Sequence, residues 1–172
     1  MIGKTTTQKV LNLIFKYDGP SSYPREIART LNLSMSVILS AVKKLEKEKL
    51  IKVTRLKAFH SIVPNYDNLH FFHLKRVFNL EQLYESGLIE AISKSCGHPQ
   101  AIILFGSYSR GEDNNLSDID IAVIQGTEKN LDFSKYEKQL ERKISLHFVD
   151  LKKASQEFKS NLYNGIVLEG AL

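Results

Sequence analysis

The spacing of apolar residues along this chain changes several times, and each change marks an element. Val10, Leu11, Ile14 and Phe15 are spaced for one face of a helix, with Thr5, Thr6 and Thr7 as candidate caps and Gly19-Pro20 as its end. A second helix is predicted from Pro24, a residue suited to the first helical position, with Ile27, Ala28 and Leu31 on its apolar side. Asn32-Leu33-Ser34 reads as a tight turn. Ser34 or Ser36 then caps a third helix running to about Lys49, with Ile38, Leu39, Val42 and Leu45 inward. At Ile51 the period shortens to two. Residues 51–55 read as a half-buried strand, and 59–63 as its antiparallel partner, closed by Pro64.

Beyond Pro64 the helical period returns. Leu69, Phe72, Val77, Leu80, Leu83 and Tyr84 predict a long helix over 66–85, with a break near Asn79. Its expected role is to pack on the flanking modules or to pair with a second copy of the chain. Ser86 is a candidate cap for a further helix to Ser95. Ala101 to Phe105 is a continuous apolar run, as in a buried strand, and Ser117 to Val123 alternates. Two amphipathic helices, 131–142 and 151–163, flank a last alternating strand, 144–149.

Composition narrows the classes. The 172 residues include 42% hydrophobic ones, enough for a core without a disulfide or zinc staple. One cysteine cannot form an internal disulfide and fits a reducing compartment. No apolar run has a membrane helix's length, and MIGKTTTQKV lacks the apolar core of a secretory signal. A cytoplasmic protein without membrane partners is expected. The net charge of +5 is unevenly divided. Residues 1–66 hold 12 Lys+Arg against 4 Asp+Glu, a net of +8, and residues 67–172 hold 12 against 15, a net of −3. Such asymmetry predicts a basic module joined to one of different purpose.

Helix, short helix, turn, helix and hairpin is the order of a winged helix-turn-helix. The segment REIARTLNLSMSVILSAVKKLEKEKLI resembles that family. The resemblance implies that the third helix recognises DNA in the major groove. With its apolar stripe inward, Ser36, Ser40, Lys43, Lys44 and Lys47 fall on the outer face. The lysines would neutralise phosphates, and the serines would touch base edges or phosphates. Arg55, Lys57 and His60 fall on the wing. The other uses of this architecture, protein docking and dimerisation, remain open.

The acidic half carries the candidate chemistry. Gly106-Ser107 follows a buried strand and opens a helix, a place where free N–H groups bind phosphate. Asp118 and Asp120 are two apart on an alternating strand, so both carboxylates face one way. That arrangement is costly unless a cation lies between them, and magnesium prefers oxygen ligands. Carboxylates beside a phosphate cradle describe a magnesium–nucleoside triphosphate site, with two metals as the full form of such a site.

GSYSRGEDNNLSDIDIAV resembles the glycine–serine and Asp-x-Asp signature of the polymerase β-like nucleotidyltransferase superfamily, and within it the minimal nucleotidyltransferases of prokaryotes. NGIVLEGAL resembles that family's closing segment, so the likeness covers about residues 98–172. It implies an α+β protein in three parts. They are a winged helix-turn-helix domain over 1–65, linker helices over 66–97 and a nucleotidyltransferase domain of small mixed sheet and helices over 98–172. It implies transfer of a nucleoside monophosphate from a triphosphate, ATP being the expected one, to a hydroxyl, with magnesium as cofactor. Several proteins of this kind are antitoxins that adenylylate a partner toxin with a higher-eukaryote-and-prokaryote nucleotide-binding fold. By position, Gly106, Ser107, Arg110 and Ser117 would hold the nucleotide, and Asp118 and Asp120 the metal. Arg110 has Glu112 and Asp113 as alternative partners.

One feature departs from the family pattern, which adds a third carboxylate from a neighbouring strand. In Ile144 to Val149 the matching parity is held by Ser145 and His147, while Asp150 falls on the parity of the apolar face. His147 then becomes the candidate base or metal ligand. The alternative function is a transcriptional regulator whose nucleotidyltransferase domain is a non-catalytic sensor or docking unit. A third reading makes the basic module a grip on an RNA substrate.

Overall fold

The computed structural model describes residues 4–17, 22–55, 60–129 and 131–172. They form a mixed α+β structure in two compact units, 1–75 and 76–172, with the division falling inside one helix.

The first unit begins with three helices: α1 (Thr6–Lys16), α2 (Pro24–Leu31) and α3 (Met35–Lys47). Thr5 caps α1 by accepting the Gln8 N–H. Pro24 stands in the first turn of α2, and Asn32 ends that helix in the left-handed conformation (φ 51°). This accounts for the turn at 32–34. β1 (Ile51–Arg55) pairs antiparallel with β2 (His60–Pro64), matching Ile51 with Pro64 and Arg55 with His60. Ser22 adds a one-residue bridge to Ile62. Val10, Ile14, Phe15, Ile27, Ile38, Ala41, Val42, Leu45 and Ile62 form the unit's buried interior.

α4 (Leu69–Ser86) spans the division as one unbroken helix. The second unit continues with α5 (Leu88–Ser95), β3 (Ala101–Phe105), α6 (Gly106–Arg110), β4 (Ile119–Ile124), α7 (Ser134–Leu140), β5 (Ile144–Val149), α8 (Gln156–Tyr163) and β6 (Ile166–Gly170). The sheet order is β5-β4-β3-β6. β3 runs antiparallel to both neighbours, and β4 runs parallel to β5. All five residues of β3 are buried, as expected of a strand covered on both faces. Ile102, Leu104, Ile119, Ile121, Val123 and Ile144 share a core with Leu88, Ile89 and Ile92 of α5. The opposite face buries Ala101, Ile103, Ala122 and Ile124 against Phe158 and Leu162 of α8.

The structure corrects several expectations. Leu39, predicted inward, is 41% exposed, and Ala41 is buried instead. Positions 38, 41, 42 and 45 keep helical spacing, whereas 39 lies about 100° around the helix from 38. On α4 the buried line is Phe71, Lys75, Asn79 and Leu83, four residues apart, while Leu69, Val77 and Tyr84 are exposed. The predicted break at Asn79 is absent: α4 runs through it unbroken, and its Nδ2 donates to the Tyr108 carbonyl and to Asp113 Oδ1. Gly87 rather than Ser86 occupies the α5 cap position, although the Ser86 hydroxyl accepts the Leu88 N–H. The helices predicted at 131–142 and 151–163 begin later, at Ser134 and Gln156. β6, not predicted as a strand, closes the sheet beside β3. Gly19, Pro20, Lys57 and Phe59 lie outside the described residues.

Arg55 on β1 holds both carboxylate oxygens of Glu46 on α3, at 2.9 and 2.5 Å. This hydrogen bond lowers the Glu46 pKa from its ordinary 4.5. A lowered folded-state pKa gives stability that is present above the unfolded value and lost as pH falls through the folded one. The melting-temperature difference between the unaltered chain and Glu46→Gln is therefore expected above pH 4.5 and to vanish on acidification below it. Because the pair is exposed, high salt shrinks the difference as well. Thermal melts across pH and salt check this.

Candidate functional site

The site forms where β3 ends and β4 begins. Antiparallel register sets Phe105 opposite Asp120, and parallel register sets Asp120 beside Ser145. Asp120 thus shares a face with Ala122, and Ser145 with His147, as alternation dictates. Asp118 lies one residue before β4 and is half-buried. The chain leaves β3 through Gly106, whose φ of 72° starts α6. An ideal Cβ at Gly106 would stand 2.5 Å from Asp120 Oδ2. Glycine is required here twice, for the left-handed backbone and for the carboxylate pressed against it.

Neighbours hold the carboxylates in place. Ser145 Oγ donates to Asp118 Oδ2 at 3.3 Å. His147 Nε2 lies 3.5 Å from Asp120 Oδ1, a charge-pair distance without hydrogen-bond alignment, and that nitrogen is shielded from solvent. The imidazole packs against Phe105 and Phe158, with ring centroids 5.3 and 6.2 Å away. The positions facing the two carboxylates from β5 are therefore a hydroxyl and an imidazole.

The other candidates are partly committed elsewhere. Arg110 is exposed and pairs with Glu112 at 2.7 Å. Ser117 Oγ accepts the Asn114 N–H at 3.0 Å, closing the loop into β4. Ser107 is half-buried near the start of α6, and its carbonyl accepts the Glu112 N–H. A cavity of about 480 Å³ opens beside Asp118, walled by Ser117, Glu137, Glu141, Arg142 and Lys143.

The donor set can be tested against a magnesium ion. Among the described residues, no three His, Cys, Asp or Glu side chains converge as a protein cage requires. Magnesium commonly takes one or two carboxylates and completes its shell with substrate phosphate and water. Asp118 and Asp120 beside the Gly106–Ser107 turn fit that mode. A second metal held by a third carboxylate does not fit, since Ser145 and His147 occupy the facing positions.

In the first unit, Ser36, Ser40, Lys43, Lys44 and Lys47 are all exposed on α3. Arg55 is exposed but engaged by Glu46, and His60 is exposed at the start of β2. A cavity of about 420 Å³ that the apolar pattern did not predict lies in this unit, lined by Tyr23, Pro24, Arg25, Glu26, Met35, Leu39 and His60. Its only signal was Met35 and Leu39, one turn apart.

Sequence reading also missed a buried polar group behind α6. Asn79, Asp113 and Arg142 are nearly inaccessible. Burial, reinforced by the Asp113 carboxylate, pushes the neighbouring Tyr108 phenol above its ordinary range. The available signal was a polar residue, Asn79, four before the buried Leu83 and eight after the buried Phe71.

Residues 88–170 match the family described as Polymerase beta, Nucleotidyltransferase. The match lies within the second unit and takes in α5 as well as the sheet. No curated protein matches the chain. Among the described residues no helix is long and apolar enough to cross a membrane.

Gly106→Ala is expected to destabilise the chain by about 1–2 kcal/mol through its left-handed backbone alone. It should also drive the Asp120 carboxylate out of its position. Urea unfolding measures the first effect, and a crystal structure of the variant shows the second.

Proposed function

We propose that the chain joins a DNA-binding winged helix-turn-helix to a domain that binds a magnesium nucleoside triphosphate and transfers its nucleoside monophosphate to a hydroxyl. ATP is the expected donor, and the acceptor is a protein such as a toxin partner, or a nucleic acid. The observation that carries the transfer reading is Asp120 set against Gly106 at the start of the turn, with Asp118 two residues before it and bonded to Ser145. Magnesium held by these carboxylates would neutralise triphosphate charge. N–H groups at the start of α6 suit phosphate oxygens.

In the transfer, the acceptor oxygen attacks the α-phosphorus. The bond from that phosphorus to the bridging oxygen breaks, and pyrophosphate leaves with the electron pair. The acceptor proton passes to a base, for which His147 is the candidate beside Asp120. The cavity beside Asp118 supplies room for part of a ligand.

For the first unit, the order of three helices and a hairpin supports the winged-helix reading, as do three exposed lysines on α3. The second reading, a regulator with a non-catalytic nucleotidyltransferase domain, is favoured by one observation. Ser145 and His147 stand where a third carboxylate would complete the site.

Radiolabelled triphosphate is expected to label a protein or nucleic-acid acceptor, and Asp118→Asn with Asp120→Asn is expected to abolish the label. Labelling that survives both changes refutes the site. Tight promoter binding with no label on any acceptor selects the regulator instead. For the basic unit, replacing Lys43, Lys44 and Lys47 by Ala is expected to reduce the slope of log affinity against log salt by about 3. Mobility-shift titrations across salt concentrations measure that slope.

A further inference from the structure

α6 is only five residues long. A helix this short does not hold its own position, because few internal bonds offset the cost of nucleating it. Its neighbours must therefore set where the Gly106–Ser107 turn stands relative to Asp118 and Asp120. Three buried polar side chains converge behind it. Asn79 Nδ2 donates to the Tyr108 carbonyl at 2.9 Å and to Asp113 Oδ1 at 2.8 Å. The other Asp113 oxygen lies 3.8 Å from a terminal guanidinium nitrogen of Arg142. Arg142 stands two residues before β5, the strand that carries Ser145 and His147.

The network thus ties α4 and the root of β5 to the far end of the turn. An apolar residue at position 79 would serve packing as well as Leu83 does. Buried polar groups cost stability unless they are bonded, so what these groups add is orientation. The carbonyl that Asn79 holds belongs to α6 itself, two residues beyond Gly106.

We propose that Asn79, backed by Asp113 and Arg142, is a positioning residue for the phosphate-binding turn. It fixes the turn against the Asp118 and Asp120 carboxylates and so confers preference for a triphosphate over the bare nucleoside. The inference rests on the reading of Gly106–Ser107 as a triphosphate cradle.

The test uses the full chain and titration calorimetry with the four ribonucleoside triphosphates plus magnesium, each beside its nucleoside. Asn79→Leu removes both hydrogen bonds while keeping the same branched skeleton of heavy atoms. Triphosphate affinity is expected to fall about tenfold, because the turn spends less time in its binding position, while nucleoside affinity stays within about twofold. A drop in both affinities together, or an unchanged ratio, overturns the proposal. Should Asn79→Leu unfold, Asp113→Asn keeps the side-chain shape while removing the charge that faces Arg142. It is expected to lower triphosphate affinity about threefold at constant nucleoside affinity, and an unchanged ratio again overturns the proposal. An unaltered chain that binds no triphosphate overturns both this inference and the transfer reading. An unaltered chain that binds and transfers, with wild-type ratios in the variants, overturns this inference alone.

Discussion

The second unit's candidate chemistry depends on the register of β3 against β4. With Phe105 opposite Asp120, the residue after Phe105 lands beside the carboxylate, and only glycine fits. A slip of one residue would turn Asp120 into the apolar core and Ile121 toward the turn. The register is secured because both strands are buried on both faces. Ile102 and Leu104 pack with Ile119, Ile121 and Val123 on one side, and Ala101 and Ile103 with Ala122 and Ile124 on the other. Hydrophobic burial thus fixes a polar arrangement that its own electrostatics would oppose.

The polar groups around that arrangement divide into two sets. Ser145 and His147 meet the carboxylates from β5 and add no negative charge. The facing positions of β5 therefore supply no third carboxylate to the site. Asn79, Asp113 and Arg142 lie behind the turn, away from solvent. Their mutual bonds make burial tolerable, and the low local dielectric strengthens those bonds.

In the first unit, charge counting overstates what is available to a ligand. Residues 1–66 carry a net +8, but Arg55 is held by Glu46 and Lys52 lies 2.5 Å from Asp67. Lys43, Lys44 and Lys47 of α3 remain exposed and form no ion pair among the described residues. These three lysines share one helix, while Lys9, Arg25, Arg29 and Lys49 are exposed elsewhere in the unit.

Much of this was legible in the sequence where local patterning controls the outcome. Helix starts near Thr5, Pro24 and Ser34, the buried run 101–105 and the common parity of Ser145 and His147 on β5 all follow from local periodicity and N-terminal residue preferences. Reading failed where partners distant in sequence decide. Leu69, Val77 and Tyr84 look like core residues by type, yet the line turned inward is Phe71, Lys75, Asn79 and Leu83. Two polar members sit on that line, and Asn79 is accommodated by groups 29 and 34 residues away. β6 was missed because its pairing with β3 is long-range and its short alternating run carries little signal. Sequence alone determined which residues share a strand face, since alternation is a property of the backbone. Only the tertiary structure decided which strand ends meet, how Gly106 abuts Asp120 and what holds α6 in place, because register and buried polar contacts come from packing between distant segments.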